Sequence, residues 1–343
     1  MQHRFRRRLL DGGSGTQRMT TLERARAAAA LPPLTVDRRD LDACREVIRV
    51  HSRSFHAASR LLPASVRDAA VATYAFCRGA DDDVDDAQSP DAARERHART
   101  RDRLARIYAG EPMDTPVGRA FAWVVRAHAI PRDEPEALLD GMAQDMGTVR
   151  VADEDALLLY CYRAAGVVGR MMSRIMGRAD AAALRRAVDL GIAMQLTNVA
   201  RDVGEDAARD RVYLPGTWLA QAGASFDDVL VRRPTDAVRA VNLRVLALAE
   251  QYYASGIGGI CLLPPACRPS ILAAALLYRA IGRKVRARGG DGVTSRARVG
   301  GAAKAALIAG ALVRCAVDPR LRARPDGHDA RLHAPLRRAG VEP

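Results

Sequence analysis

From Asp40 to about Arg288, apolar residues return at intervals of three and four, the repeat of a helix face, while alternating runs of strand length are nearly absent. Turn signals at Pro63, at Gly110, Glu111 and Pro112, at Ile130 and Pro131, at Gly177, and at Pro264 and Pro265 cut this texture into a succession of helices. Helices with an apolar stripe bury it against one another, so an all-α bundle is expected and sheet-based folds are disfavoured. No Pro-, Gly- or Ser-rich linker divides the helical stretch, and 343 residues with 48% hydrophobic content suffice for one large core. The expected layout is a disordered basic tail over 1–38, a single all-α domain over 39–318, and a mobile Arg- and Pro-rich tail over 319–343. Met19 is an alternative start of translation.

Charge narrows the partners. Lys and Arg total 54 against 40 Asp and Glu, a formal net charge of +14, which favours anionic partners such as acidic lipid or phosphorylated substrate. Nucleic acid is excluded from the expected partners, because aromatics make up only 4% and no zinc-finger, KH or RNP-like pattern occurs. Six cysteines, Cys44, Cys77, Cys161, Cys261, Cys267 and Cys315, lack CxxC spacing, which argues against a zinc site or a disulfide framework and fits a reducing cytoplasm. The amino-terminal stretch MQHRFRRRLLDGGSGTQ is basic without the apolar run of a signal peptide. The longest apolar segment, Ala302 to Val313, is too short to span a bilayer and is expected as a packed carboxy-terminal helix. Arg296, Arg298, Arg314, Arg320, Arg322 and Arg324 surround it and suit peripheral contact with the anionic inner face of a membrane.

Two acidic segments carry the chemistry. In TYAFCRGADDDVDD, Asp81 and Asp85 stand four residues apart with Arg78 three before, so all three share a face of a helix that opens near Pro63. Like charges at this spacing repel by roughly 0.2–0.5 kcal/mol, and five aspartates within positions 81–86 call for a compensating cation. A solvated helix end is the plain alternative, but the preceding turns, with Val66, Ala69, Ala70, Thr73, Phe76 and Cys77, are apolar or small. The acidic end of an enclosed helix is expected to open toward a cavity. A calcium loop fails, since Asp86 replaces the turn glycine and Ala92 stands where the bidentate glutamate belongs.

In QLTNVARDVGEDAARDRVYLP, Asn198, Asp202 and Asp206 follow one another at intervals of four, with Gln195 one turn before. Hard oxygen donors of this kind suit Mg²⁺, which keeps waters and prefers one or two carboxylates plus substrate phosphates. Mn²⁺ is an alternative. Arg201 lies just off that face, and Arg211 follows with Tyr213; guanidinium groups grip phosphate oxygens bidentately. Together the two segments form a clamp for diphosphate, a leaving group whose departure requires neutralisation of its developing charge.

These residues resemble the head-to-head prenyl synthases: phytoene, dehydrosqualene and squalene synthases. The matching stretches are His51 to Phe55, Tyr74 to Asp86, Tyr160 to Tyr162 followed by Ala165, Gly166 and Gly169, and Gln195 to Pro215, in the family order. The resemblance implies the all-α isoprenoid synthase fold with a central apolar channel. By matching position, Asp81, Asp85, Asn198, Asp202 and Asp206 would be metal-associated. His51, Ser52, Arg53, Arg78, Gln195, Arg201 and Arg211 would hold diphosphates, although His51 also has a plain reading as a helix-surface residue. Tyr160, Tyr213 and Tyr278 would face the carbocation, whose charge π-faces stabilise. Gly166 and Gly169, with Ala165, would make room for the prenyl chain, and Phe55 and Ser59 would border the channel's end. Tyr162 is expected as an ordinary core aromatic.

The reaction implied is ionisation of one prenyl diphosphate, attack by the double bond of a second, and a cyclopropylcarbinyl diphosphate that ionises again and rearranges. Loss of a proton then gives phytoene from two geranylgeranyl diphosphates, whereas squalene formation consumes NADPH. No Gly-rich strand-turn-helix element for a nicotinamide occurs, and NADPH is not expected. A squalene or dehydrosqualene synthase acting on farnesyl diphosphate is the alternative within the family. A cyclising terpene synthase would carry a different second motif, ending in Glu where Asp206 stands. A non-catalytic scaffold relative would not need both acidic motifs. A downstream desaturase is the expected protein partner.

Overall fold

The computed structural model describes residues 35–323 and 325–343; the side chains of Arg53 and Ser54 are outside that description, as are most of the expected basic tail and Met19. The chain runs through helices α1 (Arg38–His51), α2 (Arg53–Ser59), α3 (Ala64–Asp85), α4 (Pro90–Ala109), α5 (Pro116–Ala127) and α6 (Asp133–Ala143). Strand β1 (Val149–Arg150) precedes α7 (Glu154–Cys161), a π-helical turn (Tyr162–Gly166), α8 (Val167–Ile175) and α9 (Ala181–Ala207). Strand β2 (Arg211–Val212) leads to α10 (Gly216–Gln221), α11 (Phe226–Leu230), α12 (Asp236–Gly258) and a 3₁₀ turn (Gly259–Leu262). Helices α13 (Arg268–Ala287), α14 (Gly301–Val317) and α15 (Ala334–Arg338) complete the described chain. The all-α expectation holds.

Local chemistry sets the boundaries. Asp37 caps α1, Ser89 caps α4 with Pro90 in its first turn, and Asp180 accepts from the Ala183 N–H at the start of α9; each such cap contributes about 1 kcal/mol. One large core, flanked by two smaller apolar clusters, runs through the bundle, and α9 and α12 form its most extensive helix pair. The Tyr253 hydroxyl meets Thr197 Oγ1 across that pair at 3.0 Å, and Asn242 donates to the Ala200 carbonyl at 2.9 Å. Buried Glu134 of α6 accepts from Arg170 and Arg174 of α8, both at 2.9 Å, fixing those helices together.

Two features place the polar residues of the bundle's open end. The pair β1–β2 is parallel, with Val149 opposite Arg211 and Arg150 opposite Val212, and so ties the segment after α9 to the segment after α6. The close packing of α8 on α9 depends on glycine: a Cβ on Gly169 would lie 2.3 Å from the Ala187 carbonyl oxygen, and one on Gly191 would lie 2.4 Å from that of Ala165.

One expectation for the carboxy-terminal part is overturned. The chain from Pro319 onward was expected to be mobile, yet it docks on α7, α9 and α12, burying His333 and Leu336. His328 Nε2 and His333 Nε2 lie 2.9 and 2.7 Å from the carboxylate of fully buried Asp189, which also accepts from Ser255 Oγ at 2.5 Å. Arg186 donates to the Asp326 carbonyl at 2.5 Å. The apolar segment forms a packed helix as expected, with Ala311, Ile308 and Cys315 of α14 against Ile260, Leu272 and Ala273, but its other face leaves Leu312, Val313 and Val317 exposed.

Candidate active site

A cavity of about 400 Å³ lies between α3, α9, α13 and the α7–α8 segment. Helical periodicity builds its walls. On α9, Ala187, Leu190, Gly191 and Met194 line it, and the same stripe becomes polar at Gln195 and Asn198 before continuing toward Asp202 and Asp206. On α3, Ala70, Thr73, Tyr74 and Cys77 line it before Arg78 and Asp81, and Asp85 follows one turn on. Both helices are thus apolar along the cavity and acidic at their carboxy-terminal ends. There the helix dipole already presents partial negative charge, so the carboxylates add to an unfavourable field.

The two motifs meet at this end. Asp85 of α3 accepts from Arg211 Nη1 at 2.7 Å and from Arg209 Nη1 at 2.6 Å, both from the segment that follows the second motif. Arg78 bonds Asp81 at 2.9 Å and also bonds Asp82. Arg201 binds its neighbour Asp202 through Nε at 2.7 Å, and Arg296 reaches Asp202 at 3.0 Å and Glu205 at 3.1 Å.

Charge remains undercompensated. Burial pushes the Asp81 carboxyl up to about 6, with the Asp85 charge adding to it against the pull of Arg78. The Asp81 side chain keeps 40% of its accessible surface, but it lines the cavity, where low-polarity walls surround the water. Burial, followed by the charges of Asp202 and Asp145, holds Asp206 well above the usual carboxylate range. Asp85 also feels burial, but hydrogen bonds and charges from Arg211 and Arg209 bring it below that range. The Asn198 side-chain oxygen is buried without a hydrogen-bond partner, while its Nδ2 donates to Gln195 Oε1 at 3.1 Å. An orphaned amide oxygen beside carboxylates held above their ordinary range is the donor set that a hard divalent cation fits.

Asp145, which sequence reasoning missed, lies between the motifs. Tyr213 donates to its Oδ1 at 2.5 Å and Tyr160 to its Oδ2 at 3.2 Å, and the two phenol rings stack with centroids 4.5 Å apart. Burial pushes Asp145 up to about 6 despite those hydrogen bonds and the nearby Arg211. Its only signal in the sequence is an isolated carboxylate between Met142 and Met146. Arg209 and Arg296 were likewise not singled out for the site.

The remaining expected residues divide. Phe55, Ser59, Tyr160, Ala165, Gly169 and Tyr278 line the cavity. Phe55 sits between Tyr278 and Tyr74, its ring centroid 5.2 and 5.9 Å from theirs. Tyr213 is absent from the lining and stands behind Tyr160, so its hydroxyl addresses Asp145 and not the apolar space. Gly166 is absent from the lining, and a Cβ there would meet the Tyr162 ring at 3.1 Å; Gly169 lines the cavity, while its missing Cβ makes room for the Ala187 carbonyl. Tyr162 is buried in the core as expected. Ser52 caps α2 by accepting from the Phe55 N–H at 3.3 Å, and His51 is solvent-exposed at the end of α1. Arg53 lies outside the described side chains.

Comparison with known proteins gives one family. Residues 48–302 match squalene/phytoene synthase. The phytoene synthase of Cereibacter sphaeroides is 48% identical over 267 residues, 75% of each chain. That of Rhodobacter capsulatus is 42% identical over 300 residues, covering 85% of this chain and 88% of the relative. Among solved structures, a dehydrosqualene synthase in complex with ligand superposes with a TM-score of 0.73 at 28% identity, covering 80% of this chain and 96% of the other. The squalene synthase of Alicyclobacillus acidocaldarius does so at 0.68 and 28%, covering 77% and 98%.

Proposed function

The chain belongs to the squalene/phytoene synthase family, and from that premise we propose that it is a prenyltransferase joining two geranylgeranyl diphosphates head to head into phytoene, in carotenoid biosynthesis. One observation carries the reading: two helix faces that are apolar along a cavity become acidic at the same end of it, with arginines interleaved. Apolar chain and diphosphate are thereby sorted to opposite ends of one site. The phytoene synthase relatives favour the geranylgeranyl substrate over the farnesyl one.

In this reading Asp81, Asp85, Asn198, Asp202 and Asp206 would hold Mg²⁺, which when bound supplies positive charge to the departing diphosphate. Arg78, Arg201 and Arg211, with Gln195, would bind and orient the diphosphates, and the resemblance adds His51, Ser52 and Arg53 to that set. Their guanidiniums rest on aspartates and exchange those partners for phosphate oxygens of the same charge. The apolar walls exclude water, which would otherwise capture the cation as an alcohol. Tyr160 and Tyr278 present π-faces to the positive carbon and stay protonated, so no phenolate forms to quench it: burial, with the Asp145 charge, pushes the Tyr160 phenol well up, and burial pushes Tyr278 up to about 12. Tyr213 and Asp145 hold Tyr160 in place.

No helix of the described residues is long and apolar enough to cross a membrane. We place the enzyme in the cytoplasm, in peripheral contact with the inner membrane face, where a desaturase takes up the hydrocarbon.

Asp81→Ala and Asp202→Ala should each abolish hydrocarbon formation from geranylgeranyl diphosphate while the far-ultraviolet circular dichroism stays helical. Near-normal activity in either variant would refute the metal-bridge assignment. Product mass spectrometry with farnesyl and geranylgeranyl diphosphates, with and without NADPH, separates phytoene formation from squalene formation.

A further inference from the structure

On the side away from the aspartates, the cavity ends on a charged residue. Along α9 its lining runs from Asn198 back through Met194, Leu190 and Ala187 to Arg186 and Ala183, near the amino-terminal end of the helix. With a rise of about 1.5 Å per residue, Arg186 stands about 18 Å from Asn198. An extended chain of four isoprene units, built of carbon–carbon bonds of about 1.5 Å, reaches about that far.

Arg186 is only 8% exposed, and among the described residues no carboxylate pairs with it. Backbone holds its guanidinium instead. Nη1 donates to the Ser255 carbonyl at 3.0 Å, and Nη2 donates to the Asp326 carbonyl at 2.5 Å and to that of Gly327 at 3.4 Å. The stem is fixed as well, because it lies where Gly259 has no side chain: a Cβ there would come within 2.4 Å of Arg186 Cβ and 2.7 Å of its Cδ. Burying a guanidinium is costly unless its donors are paired, so the carbonyls explain how a charge persists beside an apolar space. They also make it rigid. The other side chains at this end, Leu62, Met176 and Leu263, form a small apolar cluster whose methionine can change rotamer to admit a guest.

The Asp326 and Gly327 carbonyls belong to the carboxy-terminal segment, which contributes no side chain to the cavity lining. Two residues after Asp326, His328 meets Asp189, which lies outside the lining too. The segment thus bears on the cavity through Arg186.

We propose that Arg186, braced by carbonyls of the carboxy-terminal segment, is the stop that sets the longest prenyl chain the cavity accepts. Four isoprene units fit, and a fifth meets the guanidinium. The proposal rests on the reading of the cavity as a prenyl diphosphate site. A fifth unit would either push the guanidinium off its carbonyls or press apolar carbon against its charge, and both are unfavourable.

The test reads binding separately from turnover. Thiolodiphosphate analogues of farnesyl, geranylgeranyl and geranylfarnesyl diphosphate, in which sulfur replaces the bridging oxygen and slows ionisation, are titrated with Mg²⁺ into the full chain by calorimetry. The wild type should bind the geranylgeranyl analogue about tenfold or more tighter than the geranylfarnesyl one. Arg186→Ala should abolish that preference, and Arg186→Met, which keeps the stem without the guanidinium, should reduce it. Asp189→Asn, outside the cavity, should also reduce it, since a loosened segment withdraws the Asp326 and Gly327 carbonyls. The farnesyl analogue, too short to reach Arg186, should bind all four proteins alike. A wild type without the preference, or a preference unchanged in both Arg186 variants, overturns the stop; so does weakened binding of the farnesyl analogue in those variants, the mark of general damage. If Arg186→Ala fails to fold, Arg186→Met decides. An unchanged preference in Asp189→Asn overturns the part assigned to the carboxy-terminal segment. A wild type that shows the preference yet forms no hydrocarbon from geranylgeranyl diphosphate would sink the proposed reaction and leave the stop standing.

Discussion

Asp145 shows how far a single side chain's meaning depends on its surroundings. It belongs to no acidic repeat in the sequence and becomes part of the site because the β1–β2 pairing brings Tyr213 onto Tyr160, so that two phenols share its carboxylate. Asp145 and Asp81 both sit at about 6 in the metal-free protein. Between roughly pH 4 and 6 the folded state therefore binds more protons than the unfolded chain, whose carboxylates titrate near 3.9. These two groups make the protein less stable as pH rises through that window, and a Mg²⁺ held beside Asp81 as proposed would have to displace its proton. The rise in thermal midpoint on adding Mg²⁺ should accordingly be larger at pH 7.5 than at pH 5.5. Differential scanning fluorimetry checks this, and an equal rise at both pH values would contradict the placement of the ion beside Asp81. The aspartate motifs themselves were legible as residues, because a four-residue repeat of carboxylates is a pattern; one carboxylate has no pattern, and Asp145 was overlooked for that reason.

At the scale of elements, α3 and α9 were readable because a single helical stripe runs from apolar to acidic residues in each. Gly166 and Gly169 were expected to make room for a prenyl chain, but the space their missing Cβ atoms leave is taken by protein. Glycine in a helix signals that something approaches closely, but the sequence does not say whether a substrate or another backbone does so. Here it is backbone, which makes two alanine substitutions diverge. Gly169→Ala puts a methyl 2.3 Å from the Ala187 carbonyl, a rigid neighbour, and should destabilise by about 1–3 kcal/mol as α8 is forced off α9. Gly79→Ala, on α3, meets nothing within 4 Å and should stabilise by about 0.4–1 kcal/mol through the lower entropy of the unfolded chain. Urea denaturation followed by circular dichroism measures both, and a Gly169→Ala variant as stable as wild type would mean that the α8–α9 contact is looser than described. The π-helical turn that leads into α8 had no sequence signal, since its residues, Tyr162 to Gly166, suit an ordinary helix equally well.

Across the whole molecule, the bundle was legible from periodicity, while the carboxy-terminal segment was not, because its Arg- and Pro-rich composition resembles that of a free tail. What fixes it is a few buried contacts that composition averages away: His333, Leu336, and the polar cluster on Asp189. Asp189 is fully buried, and although burial acts upward on its carboxyl, the hydrogen bonds from His328, His333 and Ser255 hold it below the ordinary range. A carboxylate so placed stabilises the fold above the unfolded-state value near 3.9, and that contribution is lost only as pH falls through the lower folded-state value. At neutral pH the segment is therefore held on the bundle in part by this carboxylate, which accepts from His328 and His333 of the segment and from Ser255 of α12. Asp189→Asn keeps the shape but turns one acceptor oxygen into a donor facing donors, which leaves buried groups unpaired at a cost of about 1–3 kcal/mol. Because the contacts of the segment lie at one end of the bundle, the loss should appear first as local opening and not as global unfolding. Trypsin should then cut at exposed Arg331, Arg337 and Arg338 faster in Asp189→Asn than in wild type, before any site in α9 or α12 is cleaved. Mass spectrometry of a digestion time course reads this directly; identical cleavage rates in the two proteins would show that apolar burial of Leu336, and not the Asp189 cluster, keeps the segment in place.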